Sequence, residues 1–158
     1  MLILKSNAAY VRTTSCSANS VVHQSGQFGD DHCRWGPFVS LVTVARTGPT
    51  ALVMLLSGLA KHTQNLNQNG KCSVLLVQSG GESGNPLEGA RLTITGQATK
   101  IPRTEDSQER SVFLQVHPDA AMYADFGDFS FYRIDIDQAH LVAGFGRIET
   151  LTADQLSA

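Results

Sequence analysis

The sequence predicts a mainly β chain, an antiparallel sheet rolled into a barrel with short helices. Three observations carry this expectation. Roughly six β-rich runs follow one another between Phe38 and Phe145, most of them in turn-linked pairs. Helical spacing is confined to short segments, and no alternating strand–helix series emerges. Glycine and proline, 14 and 5 residues, supply frequent turns. A barrel suits such strands because it removes their unpaired edges.

The elements are read in chain order. Residues 1–34 read as an irregular N-terminal segment, with Met1–Leu4 and Ala8–Arg12 as its only strand-like pieces. Residues 35–158 form the expected domain. Phe38–Arg46 is a β-rich, partly alternating run, Thr47-Gly48-Pro49 a turn, and Thr50–Leu56 the returning strand of a hairpin. Leu59, Thr63 and Leu66 then make a helical stripe, with Ser57 placed to cap its start and Gly70 its end. Cys72–Ser79 is a strand whose apolar centre suggests burial on both faces, and Gln78–Gly89 is a Gly-rich loop. Arg91–Ile101 alternates Leu92 and Ile94 against Thr93 and Thr95, as a half-buried strand does. Ser111–Asp125 holds a second helix, with Pro118 in its first turn. Phe129–Asp137 and His140–Phe145 are two more strands, and a last helix starts near Thr152.

Composition narrows the function classes. With 158 residues the chain fits one domain able to bury a core. Its net charge of −2 gives no general attraction to nucleic acid or anionic lipid. No apolar stretch reaches the length of a membrane span or signal peptide, so a cytoplasmic location is expected. Only 16% of residues are charged, which suggests that a subunit interface or a large ligand covers part of the surface. Cys16, Cys33 and Cys72 are odd in number and lack a CxxC pair, so no disulfide framework is expected. The five histidines form neither HxH nor HExxH, and no GxSxG elbow or GxGxxG loop exists.

The densest polar cluster is Ser57, Lys61, His62, Thr63 and Asn65, where a strand runs into a helix. A hydroxyl, an ammonium and an imidazole beside free helix N–H groups suit an anion, phosphate above all. A solvated helix face explains the same residues equally well. Arg91 offers a planar fork that could reach the same phosphate. Ser40, in the first hairpin, is either a ligand contact or a small outward residue. The aromatic group Tyr123, Phe126, Phe129, Phe131 and Tyr132 reads mainly as core. Arg133 and His140 are separate candidates for a polar ligand.

Several stretches also resemble a known family. Gly36–Val42 resembles the strand preceding the flavin contacts of pyridoxamine 5'-phosphate oxidase-like, FMN-binding split-barrel proteins, whose topology is antiparallel and Greek-key-like. Leu55–Leu66 resembles the haem-utilisation (HugZ-like) branch of that superfamily, as do Arg91–Gly96, His117-Pro118, Asp128-Phe129, Tyr132-Arg133 and Gly144–Arg147. The resemblance implies FMN as cofactor, with Lys61 and His62 on its phosphate, Ser57 and Thr63 beside them, Arg91 on the phosphate side, and Ser40 and Val42 along the flavin. It implies a homodimer and a redox role on a small molecule that the sequence does not name. Vitamin B6 oxidation is not expected, since no Arg/His/Trp-rich closing segment is present. The branch also offers haem as the alternative cofactor, with His140 or His117 as candidate ligands, and a cofactor-free structural dimer stands behind both.

Overall fold

A computed structural model describes the backbone of residues 20–24 and the whole of 38–78, 89–104, 107–143 and 146–157. The expected pieces at Met1–Leu4, Ala8–Arg12, Cys16, Cys33 and most of the Gly-rich loop lie outside the described residues. The elements are β1 (Ser20–Gln24), β2 (Phe38–Val42), β3 (Ala45–Gly48), β4 (Ala51–Ser57), α1 (Lys61–Gln68), β5 (Lys71–Val77), β6 (Arg91–Lys100), α2 (Gln108–Val116), β7 (Phe129–Ala143), β8 (Arg147–Thr152) and α3 (Ala153–Ser157). A 3₁₀ turn over Pro118–Met122 follows α2. No helix among the described residues is long and apolar enough to cross a membrane.

The strands form one antiparallel sheet in the order β2-β1-β5-β6-β7-β4-β3, with β8 also on β7. The mainly β class with short helices holds, but the sheet does not close into the expected barrel, which the sequence left either closed or partly closed. The path ends at β2 on one side and β3 on the other, and no ladder joins them. The reason is local. The single run expected over Phe38–Arg46 divides at Thr43 and Val44, and its halves take different partners, β1 and β4. Two successive pieces of one run continue each other and have no turn with which to pair.

Alternation places the cores. Leu52, Met54, Val74, Ile94, Tyr132, Ile134 and Leu141 share the inner face, joined by Leu66 of α1 and Leu156 of α3. On the outer side of β4, Val53 and Leu55 pack under Phe113 of α2 and under Ala120 and Ala124. Covered on both faces, β4 reads as an unbroken apolar run, ALVMLL. Most of the aromatic group belongs to this second core: Phe131 meets Phe113 edge-on at 5.7 Å between ring centres, and Tyr123 lies 5.1 Å from Phe129. Tyr132 sits in the main core and donates its hydroxyl to Asn67 Oδ1 at 2.8 Å.

Other boundaries move for identifiable reasons. Helix α1 starts at Lys61 with Ala60 at the N-cap position and no side-chain cap, and the expected cap Ser57 lies further upstream with its hydroxyl on Asp128 and Leu59 N. Gly70 serves a close approach: its carbonyl accepts from Ala98 N at 2.7 Å, and a Cβ there would collide with Ala98 O. Helix α2 starts at Gln108 under a Ser107 cap, and Pro118 opens the 3₁₀ turn instead of a longer helix. A residue before proline is disfavoured in the helical region, so α2 stops at Val116 with His117 outside that region (φ −125°, ψ 72°). The two strands expected at Phe129–Asp137 and His140–Phe145 are one 15-residue strand, carried past Asp137 by a bulge opposite Thr95–Gly96.

Candidate functional site

The expected site residues fall into two groups on opposite faces of the sheet. The register Val22–Ser40, Val22–Val74 and Val74–Ile94 places Ser40 in line with inward-facing Val74 and Ile94. Arg91 and Thr93 alternate with buried Leu92 and Ile94, and so stand on the outer face. Arg91 and Ser40 therefore stand on opposite faces of the sheet.

The first group gathers where β2 meets α1. His62 Nδ1 and Ser40 Oγ are hydrogen bonded at 3.0 Å, although 22 residues separate them. Burial lowers the His62 pKa from its ordinary value, so the imidazole favours its neutral form. Lys61, the first residue of α1, is exposed. Ser57 donates to Asp128 Oδ2 at 2.6 Å and accepts from Leu59 N at 3.2 Å, and Gly58 N donates to Asp128 O at 2.6 Å. Asp128 therefore fixes the strand-to-helix corner. Thr63 is 1% exposed and Asn65 7%, and Thr63 Oγ1 and Asn65 Oδ1 have no hydrogen-bond partner among the described residues. Val42 is part of the core.

The second group lies on the outer face of β6, β7 and β8. Thr93 pairs with His140 and His140 with Thr150, while in the next row Arg91 pairs with Val142 and Val142 with Ile148. His140 Nδ1 and Thr150 Oγ1 are 2.8 Å apart, and Nε2 has no hydrogen-bond partner among the described residues. Ile148 is 67% exposed. Together these residues place an imidazole, a guanidinium and apolar surface on one face of the sheet. Leu41 and Val39 of β2, 67% and 54% exposed, alternate with the inward residues of their strand.

The remaining candidates are engaged in structure. His117 donates Nε2–H to Val44 O at 2.9 Å and packs against Phe113 at 4.8 Å between ring centres. Arg133 bonds Asp135 at 2.8 Å and reaches Glu109 at 3.5 Å. Cys72 is buried in the core, where desolvation pushes its thiol up to about 11. No cluster of three metal-ligating side chains exists among the described residues. Sequence reasoning missed Asp128 and Thr150 as partners, since each acts on a residue that only strand pairing brings near it.

Comparison with known proteins sets this geometry in context. The family model described as "CREG, beta-barrel" matches residues 6–157. The non-canonical heme oxygenase HOZ, chloroplastic, of Arabidopsis thaliana is 34% identical over 108 residues, which is 68% of this chain and 32% of that protein. This chain thus spans about one third of that relative's length. A heme binding protein from Mycobacterium smegmatis superposes with a TM-score of 0.74 at 28% identity, covering 89% of this chain and 55% of that one. The heme storage protein HutZ of Vibrio cholerae shares the fold, with a TM-score of 0.60 at 18% identity over 81% of this chain and 87% of that one. The chain belongs to the CREG, beta-barrel family, with a pyridoxamine 5'-phosphate oxidase-like split-barrel fold related to the haem-utilisation branch.

Proposed function

We propose that this protein binds haem against the outer face of β6, β7 and β8, where His140 would be the residue that holds its iron. The observation that carries the reading is the His140–Thr150 pair, which holds one ring nitrogen at 2.8 Å and leaves Nε2 without a partner among the described residues. Metal-ligating histidines are generally oriented in this way by a bond at the other nitrogen. Val142 and Ile148 supply apolar surface for a porphyrin, and Arg91 beside Val142 suits a propionate. His117 is the poorer candidate because its ring packs against Phe113, which is fully buried in the second core. Support also comes from two of the relatives above, one a heme binding protein and one a heme oxygenase. Bound haem would supply a redox-active iron, and this chain would hold and orient it.

The test is a haem titration followed by the Soret band. Wild type and His117→Ala should saturate with the same shifted band, while His140→Ala should lose the shift and bind about tenfold or more weakly. An unchanged band and affinity in His140→Ala would overturn the assignment.

FMN at the start of α1 is a second reading, favoured by the Ser40–His62 bond next to Lys61. The donors there are limited, because the Ser57 hydroxyl is given to Asp128 and Thr63 is buried. Quenching of FMN fluorescence that disappears in a Lys61→Ala/His62→Ala double variant supports it, and no quenching by wild type rejects it. We further propose a homodimer that covers exposed Val39 and Leu41. Native mass spectrometry reads subunit count and cofactor mass together.

A further inference from the structure

Strand β8 leaves one margin of the sheet open. Residues 129–135 of β7 are laddered to β4 and residues 138–143 to β8. Strand β4 in turn carries β3, whereas β8 has no second ladder among the described residues. One hydrogen bond shows which backbone groups face outward. Thr152 N donates to Gln155 Oε1 at 2.9 Å, at the start of α3, and not to β7. Backbone direction alternates along a strand, so the N–H and C=O groups of Ile148 and Thr150 also point away from β7. Both side chains are exposed, Ile148 to 67%.

Charges often guard such an edge against pairing. On β8 the two charges have opposite signs. Arg147 and Glu149 stand on the same side of the strand as buried Leu151, with Arg147 Nη2 and Glu149 Oε2 4.0 Å apart and side chains 37% and 35% exposed. A surface contact of that length holds neither charge firmly. The signs decide how a second copy fits. A two-fold axis at Glu149 sets glutamate against glutamate, and one at Arg147 sets arginine against arginine. An axis at Thr150 sets Glu149 against Leu151. An axis at Ile148 sets Arg147 opposite the partner's Glu149 and, by symmetry, Glu149 opposite the partner's Arg147. These are non-hydrogen-bonded positions, where facing side chains lie closest. The same register joins the two exposed isoleucines.

We propose that β8 pairs antiparallel with β8 of a second copy about a two-fold axis at Ile148, joining two sheets into one. The occupant of the edge is thus another molecule of this chain, selected by two cross-strand ion pairs. This contact is distinct from the one over Val39 and Leu41, and it does not rest on haem binding. Strands add in the plane of the sheet, so the face that carries His140 is extended rather than covered.

Disulfide trapping of the full chain tests this. At about 100 µM chain, diamide should link two molecules of Ile148→Cys through the substituted position, since facing residues lie within the reach of a disulfide. Peptide mapping separates that bond from any at Cys16 or Cys33. Thr150→Cys should not link to itself, because the two positions would stand about 14 Å apart along the paired strands, beyond the limit of about 7 Å. Adding Glu149→Arg to Ile148→Cys should weaken association about tenfold by turning both ion pairs into repulsions, and adding Arg147→Glu as well should restore it. No link through Ile148→Cys, equal linking through Thr150→Cys, or no recovery in the charge-swapped chain would overturn the proposal.

Discussion

Replacing Gly96 with alanine should destabilise the fold more than its single added methyl group suggests. Gly96 lies on β6 opposite Ile136, at the bulge where β7 carries its extra residue. A Cβ built there falls onto the carbonyl oxygen of Asp135 and comes within 3.1 Å of Asp135 C and of Ile134 Cγ2. The obstacle is backbone in a strand laddered on both sides, to β6 and to β4, so it cannot swing aside as a side-chain end could. Overpacking of this kind costs about 1–3 kcal/mol, and a backbone obstacle argues for the upper end. At about 3 kcal/mol a chain of this size loses about 6–12 °C of melting temperature. Thermal unfolding followed by far-ultraviolet circular dichroism measures it. Gly127→Ala is the control, since nothing lies within 4 Å of its Cβ position, and it should change stability by less than about 0.5 kcal/mol. A Gly96→Ala protein melting within about 1 °C of wild type would refute the close-approach argument.

Other perturbations test other parts of the structure. Phe113→Ala should cost about 3–5 kcal/mol, because Phe113 is 0% exposed and anchors the second core, and chemical denaturation gives the value. The lowered pKa of His62 means the folded state resists protonation, so its effect is nil well above 6.5 and stability falls as pH drops through 6.5 toward the folded value. Denaturation of wild type and His62→Gln from pH 8 to 5 should show the extra loss in wild type alone, and parallel curves would count against it. Cys72, with its thiol near 11, should resist a thiol reagent at pH 8 until the protein is unfolded, and rapid labelling of the native state would contradict its burial.

Much of the sheet is legible because local pattern and tertiary environment agree. The Thr47-Gly48-Pro49 turn produces its hairpin, and the doubly buried β4 shows itself as an apolar run. The β7 bulge is written in the sequence too: Ile134 and Ile136 are spaced by two, Ile136 and Ala139 by three, and that change of phase marks one extra residue. Strand β1 is harder to see. Ser20–Gln24 holds two apolar residues in a polar stretch, and it is a strand because ladders flank it on both sides, which no local reading detects. The same limit applies to the site. Spacing brings Lys61 and His62 together but cannot reveal that Ser40 meets His62, or that strand register sets Arg91 on the face of His140 rather than that of Ser40.

The division of one run into β2 and β3 has a mechanical consequence. The two ends of the main strand path, β2 and β3, belong to neighbouring stretches of chain, with Val42 and Ala45 tethered through Thr43 and Val44. Three peptide units span at most about 11 Å, so at this point the lips of the seam can part by little more than the width of two strands. An intruding strand that sought to zip onto either lip would meet the other close by. The seam thus acts as a short-leashed gap, shielding these two strands from edge-to-edge association without the last ladder that full closure requires.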